Sequence, residues 1–148
     1  MAAETLPPNA LDLGKTVLLT TDSLGMAVEG AFWLYTAKDE EWRYFLVTSL
    51  VDRIGSREIY LRLNEVLAKK FPEAELFTFF ICSPSEKLVR EMRRTHKTGP
   101  EASEPEVFKP NLRGAHAYIY RLSSGLKEDD AKRVQRVFRR RANEFATA

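Results

Sequence analysis

Cys82 is the one cysteine of this 148-residue chain. A lone cysteine makes no internal disulfide, which suits a reducing compartment. Histidine is almost as scarce, with only His96 and His116. They fit neither an HExxH pattern nor a Cys/His ligand spacing, so no metal site and no cofactor is expected. The signatures of common catalytic and nucleotide sites are also missing: there is no GxSxG, no GxxxxGK[ST] and no GxGxxG. No apolar run approaches the roughly 20 residues that a membrane span needs. The first residues, MAAETLPPNALDLGK, lack a basic segment followed by an apolar one, so they do not read as a signal peptide. These absences lead to the expectation of a cytoplasmic protein without membrane contact. An excess of one charge is lacking too. The net charge is +2, so a basic binding surface has to arise from local clustering.

What is present describes an ordinary globular chain, 44% hydrophobic and 30% charged, long enough to bury a core as one domain. Residues 1–8, ending in Pro7-Pro8, read as a disordered tail, and 9–148 as a single α+β domain. Apolar residues at helical spacing (Ala10, Leu13, Val17, Leu24, Val28) predict a helix over 10–28. It is apolar nearly all round, as in a helix buried on more than one side. Ala31 to Thr36 and Trp42 to Ser49 predict two strands joined as a hairpin. Ser56 caps a helix to about Lys70, ended by Phe71-Pro72. Residues 75–82, ELFTFFIC, predict a strand covered on both faces. A helix follows from Ser83-Pro84 to about Thr98. Residues 99–114 show no periodicity and read as a mobile loop. Gly114 to Leu122 predicts the fourth strand, and about Lys127 to Phe145 the last helix. The order α-β-β-α-β-α-β-α implies a mixed four-stranded sheet packed with about four helices. Strand order is not derivable from the pattern.

Aromatics are concentrated in GAFWLYTAKDEEWRYFLV, residues 30–47. Alternation puts Phe32 and Leu34 on one face of the sheet and Trp33 and Tyr35 on the other. The next strand adds Trp42, Tyr44 and Leu46 to the second face, and the fourth strand adds His116, Tyr118 and Tyr120. That second face either is covered by the apolar first helix or by a second copy, or stays open as a platform for stacking bases. The glycine-aromatic signature of the known base-stacking sheets is absent.

Two helices carry basic stripes. Lys87, Arg90, Arg93, Arg94 and Lys97 share an arc on one, and Lys132, Arg133, Arg136, Arg139 and Arg140 share an arc on the last. Such arcs suit nucleic acid or another acidic partner. They also suit plain solvation, and cations late in a helix complement its dipole. Leu19, Met26 and Leu61, with Ala68, lie outside the apolar faces of their helices, and Arg141 projects into one. These point to a protein–protein contact, most simply a homodimer.

An enzymatic constellation can be assembled from Asp52, Glu58 and His116, with Arg57 beside them. Asp52 follows a strand, Arg57 and Glu58 open a helix, and His116 titrates near neutral pH. Cys82, ahead of a helix start, is a minor nucleophile candidate. The sequence therefore favours a small non-enzymatic binding or accessory protein. The alternatives are a hydrolase or nuclease-like enzyme using Asp52, Glu58 and His116, and a structural subunit of a larger assembly.

Overall fold

The computed structural model describes residues 6–72, 79–108, 115–123 and 128–147. Ten elements follow in chain order: α1 (Pro8–Ser23), β1 (Gly30–Tyr35), β2 (Trp42–Val47), α2 (Val51–Ile54), α3 (Ser56–Lys70), β3 (Phe79–Cys82), α4 (Lys87–Thr95), β4 (Glu106–Phe108), β5 (His116–Leu122) and α5 (Glu128–Thr147). The class is α+β with one mixed sheet, as the pattern implies. The sheet has five strands rather than four, in the order β3-β2-β1-β5-β4.

The fifth strand is β4, inside the stretch expected to be a loop. Three residues show no period. They become a strand by pairing antiparallel with β5, Val107 opposite Tyr118. β1 lies at the centre, antiparallel to β2 and to β5. β2 and β3 are parallel, joined over the sheet by α2 and α3. The upstream part of the expected third strand, 75–78, lies outside the described residues.

Helix ends differ from expectation for local reasons. α1 stops at Ser23, five residues early. The Thr20, Thr21 and Ser23 hydroxyls donate to carbonyls one turn back, a habit that competes with helix continuation. Gly25 and Ala27 then take positive φ of 69° and 51°. Gly55, at φ 80°, separates α2 from α3. α4 begins at Lys87, so Pro84 sits in the preceding turn and not at the first helical position. Of the expected tail, residues 1–5 lie outside the described residues, while Leu6 is buried and α1 starts at Pro8.

The sheet has two covered faces. Ala31, Trp33, Tyr44, Leu46 and Tyr120 share a core with α1 (Val17, Leu18), α3 (Ile59, Leu63, Val66) and α5 (Val134, Phe138, Ala142). Phe32, Leu34, Val47, Ile119 and Leu122 share the other with Val89 and Met92 of α4. The Trp/Tyr face is therefore core, packed under α1. Trp33 and Tyr44 lie with ring centroids 5.0 Å apart, and Tyr44 and Tyr120 6.0 Å apart. The polar tips find partners on α1: the Tyr44 hydroxyl donates to the Gly14 carbonyl at 2.7 Å, and that of Tyr120 to the Leu11 carbonyl at 2.5 Å. Burial pushes both phenols above their ordinary range. Toward the hairpin end Trp42 and Tyr118 are only partly buried.

A bulge shapes β5. Ala31 is opposite Arg121, but Phe32 is opposite Ile119, so Tyr120 is an extra residue. Tyr120 and Arg121 consequently both reach toward α1. Arg121 is 2% exposed. Its two terminal nitrogens donate to the two Asp22 carboxylate oxygens at 2.8 and 2.9 Å, and it also donates to the carbonyls of Val28 and Ala102. One edge of the sheet is closed by a side chain: the Ile81 amide of β3 donates to the Tyr60 hydroxyl of α3 at 2.7 Å.

Candidate functional site

The two basic helices do not form one surface. The apolar side of α5 lies in the core on one face of the sheet, and that of α4 in the core on the other. Each must be judged alone. On α4, Arg93 and Arg94 occupy the last turn, where they complement the helix dipole. Arg94 pairs with Glu91 at 3.6 Å, while Arg90 and Lys97 are exposed. Arg93 is partly buried, and its Nε and Nη2 have no hydrogen-bond partner among the described residues.

On α5 the dipole explains nothing. Lys132, Arg133, Arg136, Arg139 and Arg140 fall within the first two-thirds of the helix, and its last turn has no basic residue. The dipole acts within the terminal turns only, so these mid-helix cations neither gain nor lose by it. The neighbouring helix increases this accumulation. α3 runs parallel to α5 with a steady register: Arg53 Nε donates to Gln135 at 2.8 Å, Arg139 grips Glu58, and Arg62 Nη1 donates to Asn143 at 2.8 Å. Arg53 thus stands beside the stretch of α5 that carries Arg136.

Glu58 is the carboxylate at this junction. Arg139 binds it through two bonds, 2.8 and 2.7 Å, and Arg62 through one of 2.8 Å. The Arg139 bonds hold the Glu58 carboxyl well down, with Arg62 adding to them against the effect of burial, from 4.5 to about 2. In turn Glu58 raises Arg139. One carboxylate between two guanidiniums leaves the cluster cationic. Arg57, Lys132 and Arg136 form no ion pair among the described residues. Arg140 has only a 3.8 Å approach to Glu144, with both side chains largely exposed. Arg133 leans on Asp130 at 3.4 Å.

The depressed Glu58 gives a sign to test. A carboxyl lowered on folding stabilises fully above its ordinary value and loses that contribution as pH falls toward the folded one. Here the window runs from 4.5 down to about 2. Glu58→Gln should cost about 1 kcal/mol at neutral pH, a modest value because the pair is partly exposed. The gap between variant and wild type in urea midpoint should close as pH falls through that window. An equal gap at both ends would mean that the charge on Glu58 is not what matters.

The other candidate residues are scattered. Asp52 lies in α2, beyond the end of β2, and accepts a 2.9 Å bond from the Ser83 hydroxyl. Glu58 is engaged with arginines one face away. His116 begins β5 opposite Tyr35, whereas Asp52 and Ser83 follow the Val47–Cys82 end of the sheet. Histidine and Asp52 thus stand at opposite ends of strands about 16–20 Å long, and no acid–base unit forms between them. Burial pushes the Cys82 thiol up to about 12, which leaves it protonated and unreactive.

Of the proposed contact residues, Met26 is fully buried, because α1 has already ended and the turn behind it carries Met26 into the core. It offers no surface. Leu19 and Leu61 are exposed, 46% and 62%, as are Ala68 and, unexpectedly, Val107 of β4. Arg141 donates to the Ser23 carbonyl at the C-terminal end of α1, at 3.2 Å, so it is held within the fold.

Sequence reasoning overlooked Arg53, Arg62 and the buried pair Asp22–Arg121. The signal for Arg121 was one charge at the end of the apolar strand GAHAYIYRL, but only the bulge turns it toward α1. Among the described residues no helix is long and apolar enough to cross a membrane. No protein-family model, no curated protein and no solved structure matches the chain.

Proposed function

We propose that this is a non-enzymatic binding protein whose working surface is the outward face of α5 together with Arg53, and whose partner carries negative charge. One observation carries the reading. Exposed Arg53, Arg136 and Arg140 lie on α5 and the segment bonded to it, where the carboxylate at the seam, Glu58, is already held by Arg62 and Arg139, so their charge stays unbalanced unless an anion meets it. On α4 the last-turn dipole accounts for Arg93 and Arg94. An enzymatic role for Asp52, Glu58 and His116 lacks comparable support, because the three do not converge.

A matched pair of charge reversals tests this. Arg136→Glu with Arg140→Glu, and Arg90→Glu with Arg94→Glu, both take the net charge from +2 to −2, two units per substitution. All four side chains are exposed, so the fold should survive. Titration with polyglutamate and with duplex DNA at low salt should show binding by the wild type and the α4 pair, and at least a tenfold loss for the α5 pair. Equal loss in both variants would reduce the effect to net charge. Absence of any polyanion binding by the wild type would end the proposal.

A further inference from the structure

The partner's class follows from what surrounds those arginines, and this step rests on the functional reading above. We infer that the α5 face binds the phosphate backbone of a duplex nucleic acid, without reading or stacking its bases. Three features of the surface support the choice.

The first is the kind of cation. Arginine dominates: Arg53, Arg133, Arg136 and Arg140 stand exposed against Lys132. The guanidinium fork engages two phosphate oxygens at once, which a lysine does not. Lys132, Arg136 and Arg140 recur every four residues, so a charge appears about every 6 Å along the helix. A helix laid along a sugar–phosphate strand can then meet successive phosphates.

The second is what the face lacks. A protein interface needs a desolvated apolar or aromatic centre inside its polar rim. The exposed residues of α5 among those whose side chains are described are Lys132, Arg133, Arg136, Arg140, Asn143, Glu144 and Thr147, with no large apolar side chain among them. The exposed large hydrophobics among the described residues are Leu19, Leu61 and Val107. None is on α5; Leu61 lies on α3 and Leu19 on α1, helices that share its core. A phosphate backbone requires no apolar centre, because its affinity comes from neutralising charge and releasing counterions.

The third separates duplex from single strand. Proteins that hold single strands stack bases on aromatic rings. Here Trp33, Tyr44 and Tyr120 are buried beneath α1, and no ring is exposed on α5. The single-strand mode has no platform on this face, whereas backbone contact with a duplex needs none.

Fluorescence anisotropy decides it, with labelled DNA duplex, RNA duplex and single-stranded DNA of equal length, and polyglutamate as the protein-like polyanion. Engagement of about four phosphates gives a log–log salt slope of roughly −3.6 for the DNA duplex, so affinity falls roughly 100-fold between low and physiological salt. Both duplexes should bind regardless of sequence, more tightly than the single strand. Arg136→Gln with Arg140→Gln should reduce the slope by about 2, and Arg90→Gln with Arg94→Gln should leave it unchanged. Circular dichroism checks that each variant folds. Binding of polyglutamate but neither duplex would overturn the duplex assignment and keep the acidic-partner reading. Tighter binding to the single strand would overturn it as well. If no polyanion binds, both fall together. A preference for the DNA or the RNA duplex would tell which source of the same backbone the face meets.

Discussion

Asp22→Ala will lower stability by about 3–5 kcal/mol, the range for stranding a buried charge. Arg121 is 2% exposed and is held by both oxygens of Asp22. Removing the carboxylate leaves the guanidinium inside the protein with only the Val28 and Ala102 carbonyls. The reverse change should be milder. In Arg121→Met the methionine occupies the space, and Asp22, with its side chain 36% exposed, regains water. Its cost, about 1–3 kcal/mol, comes from the carbonyls left without a donor. For a domain whose total stability is about 5–15 kcal/mol, the first variant approaches the limit of folding and the second does not. Urea unfolding of the two variants measures the order. Equal losses, or a larger loss for Arg121→Met, would show that the buried charge is not what the pair controls.

Gly14→Ala will also destabilise the protein, although the same change in an exposed helix interior gains about 1 kcal/mol. A Cβ at residue 14 would stand 2.5 Å from the Tyr120 hydroxyl and 2.8 Å from Trp33 Nε1. The space is already occupied, because the sheet's aromatic face presses its polar tips against this turn of α1. α1 would have to lift, and the bonds from Tyr44 to Gly14 and from Tyr120 to Leu11 would stretch with it. Overpacking costs about 1–3 kcal/mol, and two loosened buried bonds add about 1 kcal/mol each. Thermal denaturation should show a clear fall in midpoint, with Gly14→Val worse than Gly14→Ala. A rise in midpoint would mean that α1 is not tightly seated on these rings.

How much of this was legible depends on what kind of force decides each element. β1, β2, β5, α3 and α5 were readable, because each carries enough residues for its period to show. The burial of the aromatic face was foreseen as one of two readings, since a helix apolar nearly all round has to cover something. β4 was not readable: it has three residues, and its partner strand creates it. The end of α1 was missed because Thr20, Thr21 and Ser23 act through hydroxyl bonds that hydropathy does not register. The placement of the basic helices on opposite faces was beyond the pattern too. It depends on which side each connection crosses the sheet, a property of the assembled layers. That layering put the α5 and α4 cations on separate surfaces, whereas His116 and Asp52 are kept apart by standing at opposite ends of the strands.

The position of β1 has a consequence for a chain still being made. One partner, β2, is seven residues away in sequence, but the other, β5, begins only at His116. A chain elongated as far as α4 therefore holds GAFWLY with one whole side of its backbone unsatisfied. Long-range closures of this kind are slow to form, and an apolar strand with a free edge is a template for another chain. Any truncation that removes β5 turns the most protected strand of the finished protein into its most adhesive one.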